Sequence, residues 1–103
     1  MKNNMETFDD IINGDKPVLV DFYATWCGPC KMMAPVIEDL GKELEGKARV
    51  LKIDIDKNRP VADLYRIQAV PTLIIFKNGQ QLWRNSGAMA KHELLAQIDQ
   101  YAD

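Results

Sequence analysis

The chain has 103 residues, 47% of them apolar and 27% charged, with a formal net charge of −2. That size suits a single domain, 1–103, able to bury a core without disulfide staples or a structural metal. Interspersed charges leave no basic stripe for nucleic acid, no apolar run reaches membrane-span length, and the polar start "MKNNMETFDD" lacks the apolar stretch of a signal peptide, so a cytoplasmic monomer is expected.

Met5, Phe8, Ile11 and Ile12 recur at helical spacing; Asn4 is placed to cap that helix and Asn13-Gly14 ends it. "PVLVDFYA", 17–24, is a nearly continuous apolar run, as expected for a strand covered on both faces. The period then changes. Met33, Val36, Ile37, Leu40 and Leu44 form one stripe of a long helix ending near Gly46, with Pro35 inside it as an expected kink. "ARVLKIDI", 48–55, is a second strand, and strand, helix and strand together read as a right-handed parallel crossover. A short helix over 59–66 has Pro60 near its first turn, and "TLIIFK", 72–77, is a third buried strand. Asn78-Gly79 before "QQLWRNS" is a hairpin signal, and Leu94, Leu95, Ile98 and Tyr101 share one face of a last helix, 90–101. The pattern is that of an α/β domain with a mixed sheet and helices on both faces.

Both cysteines, Cys27 and Cys30, fall where the first strand hands over to the long helix. Chemistry in open α/β sheets favours that end of the strands. Unpartnered N–H groups and the positive end of the helix dipole stabilise a thiolate at Cys27. Gly28 allows a tight turn and keeps approach open, while Pro29, with fixed φ and no N–H, suits a first helical turn. Two neighbouring thiols do what one cannot. The first attacks a substrate disulfide, and the second releases the product from the mixed disulfide. Cys27, at the outer end, is expected to attack, and Cys30, one turn in, to resolve. The uncharged Gly28-Pro29 pair points to a reductant rather than an oxidant or isomerase. Zinc and iron–sulfur sites need four ligands, whereas this chain has one CxxC and one His, so no metal is expected.

The segment "WCGPC" at 26–30 is flanked in order by "VLVDF", "KMMAPVIEDL", "VLKIDID", "AVPTLIIFKNG" at 69–79 and "SGA" at 86–88. This array, running from about residue 5 to the C-terminus, resembles the thioredoxin family. The resemblance implies the thioredoxin fold, with a mixed central sheet of four to five strands, and a general protein disulfide reductase. It implies no bound cofactor, a reversible Cys27–Cys30 disulfide, electrons from NADPH through thioredoxin reductase, and disulfide-containing proteins as partners. Residue by residue, it implies that Cys27 is the nucleophile and Cys30 the resolving thiol. Asp21 matches the buried aspartate that moves a proton to or from the inner cysteine, and Lys52 the lysine near it. Pro71 matches a cis-proline facing the site, preceded by Val70. Trp26, Gly28, Pro29, Ile55, Val70, Pro71, Gly87 and Ala88 match an apolar surface that receives extended substrates.

The residues themselves support part of this. A carboxylate inside an apolar strand is costly to ionise, so burial should raise the Asp21 pKa toward neutrality, where it can shuttle a proton. The competing reading is a structural Asp21 paired with Lys52, and Lys52 alone reads as an edge lysine with its stem along apolar surface. Three positions depart from the family pattern. Tyr23 stands where tryptophan is usual, the first strand is missing or confined to 1–4, and Ala90 replaces a capping Ser at a loss of about 1 kcal/mol. Met33 reads as core, Trp83 as a packing residue and His92 as solvated. A different class of function uses the same surface: a binding or assembly subunit indifferent to cysteine state.

Overall fold

The computed structural model describes residues 6–102. Its elements are α1 (Phe8–Ile12), β1 (Val18–Tyr23), α2 (Gly28–Glu43), β2 (Arg49–Asp54), α3 (Arg59–Leu64), β3 (Thr72–Lys77), β4 (Gln80–Ser86) and α4 (Lys91–Asp99). The two most apolar strands, β1 and β3, are buried along all but their last residue and take the middle of a four-stranded sheet of order β2-β1-β3-β4. β2, which carries Arg49, Lys52 and Asp54, is a half-exposed edge. β1 runs parallel to β2, with Asp21 opposite Lys52, and antiparallel to β3, with Asp21 opposite Leu73. The β3–β4 hairpin turns through Asn78 (φ 53°) and Gly79 (φ 79°), the paired positive angles that an Asn-Gly turn supplies.

Alternation along β1 divides the core. Val18, Val20 and Phe22 pack with Ile12 of α1 and Ala62 of α3, and Phe8, Tyr65 and Phe76 interlock there edge to face. Leu19 packs on the opposite side with Met33, Ile37 and Leu40 of α2 and Leu94 and Ile98 of α4. Strand alternation puts Asp21 on this second face, beneath α2. Met33 is core, and Trp83 is a half-buried packing residue, as the spacing predicts.

Several boundaries differ from the sequence expectation. Asn4, Met5 and the possible strand 1–4 lie outside the described residues. α1 starts at Phe8, capped by Thr7, whose hydroxyl accepts the Asp10 N–H at 3.1 Å while the Asp10 carboxylate accepts the Thr7 N–H at 3.2 Å. This box uses Asp where the usual signature has Glu or Gln. α2 continues through an exposed Pro35 and ends at Glu43, three residues before Gly46 (φ 87°). α3 stops at Leu64 because Arg66 adopts a left-handed φ of 53°. α4 covers 91–99 with Ala90 at its N-cap and no side-chain cap bond, as its missing hydroxyl requires.

Candidate active site

Cys27 is the N-cap of α2, in extended conformation (φ −93°, ψ 116°), and its Sγ accepts the backbone N–H of Cys30 at 3.1 Å. That contact satisfies one of the donors a helix start leaves free. Gly28 and Pro29 occupy the first helical positions, and no acidic side chain sits in the first turn to oppose a negative sulfur. Cys30 follows one turn on, joined to Cys27 by a disulfide with Cα atoms 5.3 Å apart. Cys27 and Cys30 are 5% and 4% exposed, so exposure does not rank them. Their neighbours differ. Cys27 Sγ lies 3.6 Å from the Val70 carbonyl oxygen, whereas Cys30 lines a cleft of about 240 Å³ with Tyr23, Lys31 and Lys52.

The Val70–Pro71 peptide bond is cis, with Val70 half-buried and Pro71 buried. Gly87 holds a φ of 101°, which demands glycine, and donates its N–H to the Pro71 carbonyl at 2.8 Å. A Cβ built at Gly28 would meet no atom within 4 Å, so packing inside the chain does not require that glycine; the space beside it is open. Trp26 is 67% exposed, and its Nε1–H donates to Asp56 Oδ2 at 2.9 Å. Ala88 is exposed. Ile55, of the expected surface, is 8% exposed and belongs to the buried cluster that includes Phe22, Cys27 and Cys30. Met32, 78% exposed in the first turns of α2, adds apolar area that the motif does not mark.

Asp21 is completely buried, and neither carboxylate oxygen has a hydrogen-bond partner. Burial pushes its carboxyl up to about 6, against a weaker downward pull from the Lys52 charge. The structural pairing of Asp21 with Lys52 is not made. The Lys52 ammonium instead lies 4.7 Å from the centroid of the Tyr23 ring, at the exposed edge of the sheet.

Two supporting residues escape sequence reading. Asp56 fixes the Trp26 indole across 30 positions of chain. Arg84 of β4 reaches over the sheet to donate to the carbonyls of Tyr65 and Arg66 at 2.7 and 2.9 Å, pinning the start of the loop that leads to Val70. Neither pairing leaves a local pattern: the first depends on β1 and β2 lying side by side, the second on how β4 passes the end of α3.

A mixed sheet with a disulfide-forming CxxC at a helix start, opposed by a cis-proline loop, defines a dithiol domain of the thioredoxin fold. The chain belongs to the thioredoxin family of thiol–disulfide oxidoreductases, whose family model, described as Thioredoxin, matches residues 1–100. It is 46% identical over 99 residues to thioredoxin Y, chloroplastic, of Oryza sativa subsp. japonica, covering 95% of this chain and 59% of that protein. It is 47% identical over 90 residues to a thioredoxin of Rickettsia felis, covering 87% of this chain and 86% of that one. The chain thus spans less than two thirds of the plant relative's length. A solved mutant thioredoxin from Halobacterium salinarum has a TM-score of 0.84 at 40% identity, covering 92% of this chain and 82% of its own.

Proposed function

We propose that this chain is a general protein disulfide reductase acting by thiol–disulfide exchange through Cys27 and Cys30. The observation that carries the reading is the placement of the Cys27 sulfur: acceptor of the Cys30 N–H at the start of a 16-residue helix, beside the Val70 carbonyl. In the reduced protein that N–H and the positive helix end favour the Cys27 thiolate. An extended substrate segment lies on the patch around Trp26, Pro29 and Ala88 and pairs with the Val70 backbone as a short added strand.

The thiolate attacks one substrate sulfur, forming a Cys27 mixed disulfide and expelling the other sulfur as a thiolate. Cys30 then gives its proton to Asp21, directly or through water, and attacks Cys27 Sγ. The remaining substrate sulfur leaves as a second thiolate. Two electrons pass from the dithiol to the substrate, and the Cys27–Cys30 disulfide is the product. With its midpoint near 6, Asp21 is ionised at neutral pH and ready to take that proton.

The dithiol is restored by NADPH through a thioredoxin reductase, and the chain itself holds no cofactor and works as a cytoplasmic monomer on disulfide-containing proteins. The uncharged Gly28-Pro29 pair supports the reducing direction. Insulin reduction followed by turbidity tests the assignment. Cys27→Ser is expected to abolish activity, and Cys30→Ser to stall with the substrate covalently held. Normal turnover by Cys30→Ser, or trapping by Cys27→Ser, would overturn the roles.

A further inference from the structure

Tyr23 closes β1 two residues after Asp21, so strand alternation sets both on the face beneath α2. Lys52 is opposite Asp21 in the β1–β2 register, yet its Nζ rests over the Tyr23 ring while both Asp21 oxygens stay unpartnered. A lysine stem starting beside a buried carboxyl has two places to put its charge. Reaching Asp21 strips the ammonium of water. Resting on the ring leaves it wet on its outer side, because Lys52 is exposed and shares with Tyr23 the cleft that reaches Cys30.

We propose that Tyr23 is a positioning residue, whose ring holds the Lys52 ammonium at the mouth of the Cys30 cleft and off the Asp21 carboxyl. Other charge near Asp21 is sparse. β3 places Leu73 opposite it, β2 carries Asp54 opposite Tyr23, and α2 brings Lys31 and Glu38 to the groove lined by Lys52. Lys52 is therefore the cation that Asp21 senses most closely, and the ring decides where that cation sits. Without the ring, the ammonium visits Asp21 more often, the carboxylate is favoured, and Asp21 releases its proton at lower pH. The consequence for exchange rests on the reading of Asp21 as acceptor of the Cys30 proton.

The test follows the Asp21 carboxyl carbon by NMR against pH in the oxidised protein. Tyr23→Leu is expected to lower the midpoint by about half a pH unit, the scale of one lost cation–π contact at a partly wet site. Tyr23→Phe keeps the ring and should titrate like the wild type. In a Lys52→Met background the Tyr23→Leu shift should vanish. An unchanged or raised midpoint in Tyr23→Leu, an equal shift in Tyr23→Phe, or a shift that survives Lys52→Met would overturn the proposal. This titration involves no substrate, so it reads the placement of Lys52 whatever Asp21 does in exchange. The pH profile of mixed-disulfide resolution reads the other half: if it ignores a shift seen by NMR, the assigned role of Asp21 fails while that of Tyr23 stands.

Discussion

The Asp21 carboxyl is completely buried and neither of its oxygens has a hydrogen-bond partner, so folding must remove water from a group that would otherwise ionise. The unfolded chain releases this proton near the ordinary 3.8, and the folded chain near 6. Below both values the group contributes nothing to the pH dependence. As pH rises through that window the unfolded state loses its proton first, so stability falls, and above about 6 a penalty of roughly 3 kcal/mol is fully present. Asp21→Asn should therefore be more stable than wild type at pH 8 by up to about 3 kcal/mol, with the gain fading as pH falls from about 6 to about 4. Urea unfolding at both pH values checks this, and a gain independent of pH would count against it. The same variant should slow resolution of the mixed disulfide by on the order of tenfold or more, seen by quenching single turnovers. Asp21 was legible in the sequence because a carboxylate amid "VLVDFYA" is conspicuous. The resting place of Lys52 was not, because a strand register fixes where a long side chain starts and not where its end goes.

At the scale of elements, helix ends matter most. The start of α2 carries the chemistry, and its signals were local: two cysteines, a glycine and a proline at the change from strand to helix spacing. α1 starts later than its apolar spacing predicts, because Thr7 and Asp10 cap one another in a pattern other than the usual box. α4 begins with Ala90, which has no side-chain acceptor, although the Glu93 carboxylate accepts the Ala90 N–H at 3.0 Å. Ala90→Ser supplies the missing acceptor and should raise stability by about 1 kcal/mol with insulin reduction unchanged; a neutral or negative change in denaturation midpoint would show that the Glu93 contact already suffices. The β3–β4 hairpin and the β1–β2 crossover were legible from turn chemistry and connection length. The central β1–β3 pairing was not, since nothing near either strand states which partner lies on its free side.

For the whole molecule, the helix start, the buried carboxyl and the cis-proline loop converge from β1, α2 and the turn before β3, and the sheet order brings them together. Reducing power depends on how weakly the dithiol form is favoured over the disulfide. A charge between the cysteines should disturb that balance, because a histidine there stabilises the thiolate. Pro29→His is expected to raise the reduction potential by tens of millivolts, about 30 mV for each 1.4 kcal/mol, as read by equilibration with glutathione. A potential left unmoved or lowered would mean that the neutral Gly28-Pro29 pair does not set the direction of exchange.

The reaction begins with the ionisation of one sulfur at a helix start. The most direct test is the pH dependence of iodoacetamide alkylation of Cys27, measured in reduced Cys30→Ser protein so that a single thiol reacts. The expected midpoint lies at least about one unit below the 8.5 of a free cysteine. A midpoint at or above that value would contradict the assignment of Cys27 as the attacking thiolate.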